Sequence, residues 1–296
     1  DVLKDYIDDK YPKHASALEV GAPITKEKVK LPYYMGSMDK IKPDTGVIHK
    51  WVAKYTGPYV LSAKLDGISG LYTTEGDTPK LYTRGNGVEG QDISHMIPYL
   101  KLPTKKGVTI RGELIISKKT FADKYASTAA NARNLVSGFS NRKTVKPDDI
   151  RCIDFVAYEV IHPTLKPSKQ FDMLRSLDIT TVVHEEVKNV SNESLSKLLV
   201  EWRESYEYEI DGVICTNDTV YPRKKENPKY AFAFKMVLSD QVVEAKVVDV
   251  LWAPSKDGYL KPRVRIEPVT IGGARIEYAT AFNGAFVEEK KIGVGA

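Results

Sequence analysis

Lys64-Leu65-Asp66-Gly67 sets a lysine and a carboxylate two residues apart, after the apolar run Tyr59-Val60-Leu61 and before Ile68-Ser69-Gly70-Leu71-Tyr72. Alternate side chains of a strand share a face, so the spacing predicts Lys64 and Asp66 in one pocket with Leu65 packed behind them. A lysine held there suits nucleophilic attack beside a metal or a phosphate, once burial or neighbouring cations have favoured loss of its proton. Alone, the tetrapeptide also describes a solvated lysine at a turn. Four further segments follow in order: Thr83-Arg84-Gly85-Asn86-Gly87 with Gly90-Gln91-Asp92; Arg111-Gly112-Glu113; Glu209-Ile210-Asp211-Gly212-Val213-Ile214; and Ala231-Phe232-Ala233-Phe234-Lys235. Each has a plain reading by itself, as a hairpin turn, a surface ion pair, a turn or a core strand. Together they place basic and acidic groups at the ends of apolar strands, as phosphoryl chemistry requires.

The elements that must position them alternate strands with glycine turns. Strands are predicted over 59–64, 68–73, 80–83, 108–116, 153–160, 210–216 and 231–237, and helices over 45–55, 168–177 and 191–206, the last capped by Ser191 or Asn192. Residues 118–137 read as helical with an interruption at Asn131-Ala132-Arg133-Asn134, and 31–42 as a loop. The mixture predicts an α+β domain with antiparallel sheets over 31–238, preceded by a polar lead-in at 1–30. From 239 to 296 the pattern becomes short β runs at regular spacing, which suggests a small oligonucleotide-binding barrel, incomplete at this length.

The chain has 296 residues, 42% hydrophobic and 28% charged, with 44 basic residues against 39 acids and a formal charge of +5. That surplus permits a polyanionic partner without demanding one. No run approaches the ~20 apolar residues of a membrane span, so no membrane partner is expected. The charged N-terminus fits no signal peptide, and the missing initial Met suggests an incomplete or processed chain; a cytoplasmic protein is expected. Two cysteines, Cys152 and Cys215, form no zinc pattern, and five scattered histidines have no ligand spacing. The basic run Arg223-Lys224-Lys225 is either a grip on nucleic-acid phosphates or a solvated loop.

The five segments resemble the covalent nucleotidyltransferase superfamily of polynucleotide ligases and capping enzymes. The forms T-R-G-x-G-x-x-G-x-D and E-I-D-G-V-I are similar to those of NAD-dependent, bacterial-type DNA ligases. Asn131-Ala132-Arg133-Asn134 matches that family's N-P-R-N at three of four positions. Val20-Gly21-Ala22-Pro23 and Met35-Gly36-Ser37-Met38-Asp39 resemble its lead-in. Arg265-Ile266-Glu267-Pro268-Val269 and Ala279-Thr280-Ala281-Phe282-Asn283 resemble the start of its oligonucleotide-binding domain.

The resemblance implies that Lys64, with Asp66 and Lys235 as further catalytic residues, takes AMP from NAD and passes it to a 5′-phosphate at a nick in double-stranded DNA, which a 3′-hydroxyl then seals. It implies that Lys235 and Arg84 neutralise phosphate charge, that Glu113 and Asp211 hold the ribose or Mg2+, and that Tyr158 lies against the adenine. Ser37 and Met38 would line the adenine end, and Arg133, with Arg223 and Lys224, would meet nucleic-acid phosphate. Ser62 stands where the family carries a glutamate that reads the adenine amino group, and Thr216 stands where it carries a lysine. The family's nicotinamide-gripping module is not recognisable ahead of Val20, so ATP in place of NAD, or a second chain supplying the absent ligase modules, stays open. A non-sealing nucleic-acid-binding subunit is the reading from another class. A domain-poor form would suit a virus or phage.

Overall fold

The computed structural model describes residues 28–43, 46–141, 146–236, 242–255, 258–271 and 274–296. The lead-in signal at Val20–Pro23 lies outside them. The chain separates into two compact units, Lys26–Met236 and one that includes Val237–Ala296.

The larger unit is built on two sheets. One has five strands in the order β2 (Asp39–Ile41), β11 (Ala231–Phe234), β10 (Ile210–Asn217), β3 (Tyr59–Leu65) and β9 (His184–Val187). Its pairs are antiparallel except β2–β11. The other is antiparallel throughout, in the order β5 (Lys80–Thr83), β4 (Ile68–Thr73), β7 (Thr109–Ile115) and β8 (Asp154–His162). A short pair, β1 (Lys28–Lys30) with β6 (Glu89–Gln91), lies apart from both.

Period-two patterning decides which face each strand buries. On β10, Val213 and Cys215 are fully buried while Ile214 and Thr216 face a cleft. One continuous core runs through Leu61, Ala63, Leu114, Phe155, Val213 and Phe232, so both sheets share it. Helices close its outer faces. The helix Asn192–Ser205 buries Leu195, Leu198, Leu199 and Trp202, a single stripe at helical spacing. It starts at Ser191, whose Oγ accepts from Ser194 N at 3.1 Å while Ser194 Oγ accepts from Ser191 N at 2.9 Å, satisfying two otherwise orphaned donors.

Between β3 and β4 the chain passes from one sheet to the other in two residues, Asp66 and Gly67. A Cβ at Gly67 would lie 2.4 Å from the Leu114 carbonyl oxygen and 2.9 Å from Glu113 Cγ. Only glycine fits this crossing. Gly67→Ala is expected to cost about 2 kcal/mol or more by forcing backbone against backbone. In a unit of this size that lowers the thermal midpoint by roughly 4–8 °C, which a melting curve will show.

The smaller unit is a meander of β12 (Val247–Pro254), β13 (Leu260–Ile271) and β14 (Ala274–Thr280), then the helix Gly284–Glu289, capped by Asn283. Val247, Val264 and Ala281 form its core. Among the described residues the three strands stay an open sheet and close no barrel. Lys261, Arg263 and Arg265 alternate with buried positions on β13 and are exposed.

Candidate active site

A cleft of about 1000 Å3 lies within the larger unit, with walls from both sheets and from the segments 34–38 and 221–230. Its floor is made by facing residues of β3 and β10. Lys64 stands opposite Gly212, Ser62 opposite Ile214, and Val60 opposite Thr216.

The pairing slips between Ile210 and Gly212, because Ile210 opposes Leu65 while Gly212 opposes Lys64. Asp211 is therefore the extra residue of a β-bulge, which re-aims its side chain. Its Oδ1 accepts from Lys64 Nζ at 2.8 Å and its Oδ2 from Lys235 Nζ at 2.5 Å. One carboxylate thus holds two lysines, each about a quarter exposed. Gly212 makes room for them. A Cβ there would sit 2.6 Å from the Phe234 carbonyl oxygen, 3.2 Å from Lys235 Cγ and 3.6 Å from Lys64 Cδ.

The expected pairing of Lys64 with Asp66 is not what the structure shows. β3 ends at Leu65, so the alternation stops before Asp66, which turns to Arg133 instead (2.8 Å). Arg133 is consequently engaged at the mouth of the lysine site, half-exposed.

Glu113 comes from β7, whose alternation also brings Arg111 to the cleft. Glu113 is 7% exposed. Burial raises its pKa to about 7, against the opposing pull of Arg111, Lys64 and Arg133 and a hydrogen bond from Tyr158. The folded chain therefore holds this proton where the unfolded chain has lost it, so stability from this group is greatest at low pH and falls as pH rises from about 4.5 to about 7. Glu113→Gln should remove that slope. Urea unfolding of wild type and variant at about pH 5 and pH 8 should differ in its pH dependence by on the order of 3 kcal/mol.

Tyr158 is the extra residue of a second bulge, since Arg111 opposes Glu159 and Gly112 opposes Ala157. Its Oη shares a 2.7 Å hydrogen bond with Ser69 Oγ and donates to Glu113 Oε2 at 3.3 Å. Burial pushes the phenol pKa up. The Arg111 guanidinium lies 5.7 Å from the ring centroid.

Ser37 and Met38 belong to a segment pinned residue by residue. The Tyr34 carbonyl accepts from Arg223 (2.8 Å), the Met35 carbonyl from Arg84 Nε (3.2 Å), and the Gly36 carbonyl from Arg111 (3.0 Å). Ser37 N donates to Asn227 Oδ1 at 3.0 Å. Glu159 sits between Arg111 and Arg223, pairing with both. Arg223 is thus part of the cleft wall, held inward by the Glu159 carboxylate and the Tyr34 carbonyl. Lys224 stays exposed, 3.9 Å from Glu226.

Sequence reading assigned no role to Arg111, Glu159 or Asn227. Period-two spacing from Glu113 would have found Arg111. The bulge that turns Glu159 to the cleft, and the contact of Asn227 with residue 37, carry no local signal. Both cysteines are free thiols.

Among the described residues no group of three or more His, Cys, Asp or Glu is arranged as a metal cage. Asp211, one of the two expected metal carboxylates, has each oxygen on an ammonium. Glu113 is the carboxyl that remains beside the lysine site, which fits Mg2+ carried mainly by phosphates and water.

A two-sheet α+β fold whose cleft holds an amine nucleophile and a second cation on one carboxylate has the groups that transfer to phosphorus needs. Residues 39–238 match the NAD-dependent DNA ligase adenylation domain, and the chain belongs to that family. It is 41% identical over 305 aligned residues to a DNA ligase of Acanthamoeba polyphaga mimivirus, covering 100% of this chain and 48% of the relative. A DNA ligase of Leptospira interrogans is 27% identical, covering 94% of this chain and 44% of the relative. The chain thus spans about half the length of such relatives. A solved structure titled Pmar-Lig_PreS3 shares the fold with a TM-score of 0.55 at 15% identity, covering 98% of this chain and 64% of that one. Among the described residues no helix is long and apolar enough to cross a membrane.

Proposed function

We propose that this chain carries the nucleotidyl-transfer centre of a DNA ligase that takes AMP from NAD. The observation that supports it best is Asp211 held between Lys64 and Lys235 on the cleft floor. NAD is here a substrate and is consumed. Lys64 Nζ gives up a proton, for which the Asp211 oxygen at 2.8 Å is an acceptor already in contact, and attacks the α-phosphorus. A P–N bond forms, the P–O bond to nicotinamide mononucleotide breaks, and that mononucleotide leaves. Lys235 and Arg84 stabilise the negative charge that develops on the phosphoryl oxygens. Mg2+, when bound beside Glu113, shields the same phosphates. Tyr158 and the pinned segment at Ser37 and Met38 orient the nucleoside.

The adenylyl group then passes to the 5′-phosphate of nicked double-stranded DNA, whose 3′-hydroxyl displaces AMP to restore the backbone. Arg133, half-exposed at the mouth, is suited to the incoming phosphate as a bidentate donor. Lys224 and the exposed row Lys261, Arg263 and Arg265 are proposed to add backbone contacts, the latter as part of an oligonucleotide-binding domain. Transfer of label to the protein from adenylate-labelled NAD is the expected result. Label from ATP alone would move the chain to the ATP-using branch, and label from neither would overturn the reading.

A further inference from the structure

Residues 31–38, between β1 and β2, form neither strand nor helix. Their backbone groups therefore take partners from elsewhere in the chain, since a buried carbonyl or amide has to be satisfied. Three successive carbonyls, of Tyr34, Met35 and Gly36, each accept from a different arginine, and two of those arginines share one carboxylate. Glu159 Oε1 accepts from Arg223 Nη2, and its Oε2 lies 3.9 Å from Arg111 Nη1. The wall of the cleft thus repeats the device of its floor, where Asp211 gives one oxygen to each of two lysines.

Arg111 has all three guanidinium nitrogens committed. Nε donates to Ser69 Oγ at 3.2 Å and Nη2 to the Gly36 carbonyl at 3.0 Å, while Nη1 faces Glu159. The residue is 9% exposed, so its charge needs a counter-charge close by. Arg223 is divided in the same way, with Nη1 on the Tyr34 carbonyl at 2.8 Å and Nη2 on Glu159. A guanidinium is a planar fork, so fixing one arm on a carboxylate fixes the direction of the other. Without the Glu159 charge the two guanidinium groups would repel, and Arg223, the more exposed of the two, is the one that solvent can take up. The neighbouring holds do not depend on Glu159. Asn227 Oδ1 keeps the Ser37 amide, and the Met35 amide donates to the Gly87 carbonyl at 2.9 Å. Loss of the Glu159 charge therefore loosens the stretch that leads into Ser37 and Met38 and leaves the fold in place.

We propose that Glu159 is a positioning residue for the nucleotide: acting through Arg111 and Arg223, it keeps residues 34–36 in the shape that presents Ser37 and Met38 to the nucleoside. The proposal rests on the nucleotidyl-transfer reading above, which places the nucleoside at those two residues. A segment whose arginines are released spends less time in the competent shape, and apparent affinity falls in proportion to that fraction. Once nucleotide is bound the shape is restored, so the chemical step at Lys64 is unaffected.

The test compares wild type with Glu159→Gln, nearly equal in volume, in transfer of label from NAD. AMP affinity by calorimetry is the readout independent of turnover. The half-saturating NAD concentration and the AMP dissociation constant should each rise ~10-fold, while the labelling rate at saturation stays within ~3-fold. A lower saturating rate with an unchanged half-saturation point, as a merely structural loss would give, overturns the proposal, and so does no change in either. Arg223→Met removes the same link from its more exposed end and replaces Glu159→Gln should that variant fail to fold. It should give a similar rise, and the double variant no more than ~3-fold beyond either single one, because the two residues act as one unit. A double variant weaker by ~100-fold, the product of the two effects, would show independent roles and contradict the proposal. No labelling of wild type from NAD would count against the nucleotidyl-transfer reading. AMP affinity then decides the proposal by itself: a ~10-fold loss in Glu159→Gln supports it, and an unchanged value, or no binding of AMP to wild type, overturns it.

Discussion

Lys64→Ala is expected to lower protein adenylation by at least ~10^4-fold, because the variant loses the atom that forms the P–N bond. Lys235 is not expected to substitute. Its nitrogen is held by the other oxygen of Asp211, 2.5 Å from Oδ2. Lys64→Arg should be as inactive as the alanine variant. It restores positive charge beside Asp211 but brings a guanidinium, which stays protonated. Stability should change little, since the pair is part-exposed and Asp211 keeps Lys235. The readout is label on the protein after reaction with labelled NAD, with a melting curve as the folding control. Wild-type labelling of either variant would remove Lys64 from the nucleophile role.

Asp211→Asn is expected to have the second largest effect. The variant keeps the bulge and the side-chain volume but removes the charge that draws two lysines to one point. Two ammonium groups would then face each other across a partly desolvated floor, and repulsion moves both stems. A shift of that kind at the reacting atom should lower adenylation by roughly 100-fold. An unchanged rate would show that Asp211 does not position the nucleophile.

Strands were legible where a sheet buries one face and the pattern is local. β4, β5, β7 and β10 follow their apolar residues within a residue or two, and Ser191 announced its helix. The break expected at residues 131–134 falls earlier, at 125–131, between the helices Lys118–Lys124 and Ala132–Asn141, and residues 132–134 are helical. Short strands escaped. β9 reads His184-Glu185-Glu186-Val187 and has no apolar alternation, because as an edge strand it is held only by its ladder with β3. β1 and β2, three residues each, are fixed by partners distant in sequence.

The site was legible in its residue types and not in its pairings. Lys64 and Asp211 are 147 positions apart, and only a bulge on β10 sets the carboxylate against the amine. Nearest-neighbour spacing offered Asp66, which the end of β3 turns away. The hold on Tyr34–Ser37 runs through three backbone carbonyls and one amide, which every sequence possesses. Ser62 and Thr216 drew notice only by resemblance, and their position on successive rungs needed the register.

The central claim is that Lys64 is the residue that carries the nucleotide. Intact mass after incubation with NAD and Mg2+, followed by proteolysis and fragmentation of the modified peptide, tests it directly. A gain of one AMP, located on Lys64, is the predicted result. A gain located on Lys235 or on any other residue, or no gain from NAD by a chain whose fold is intact, would contradict it.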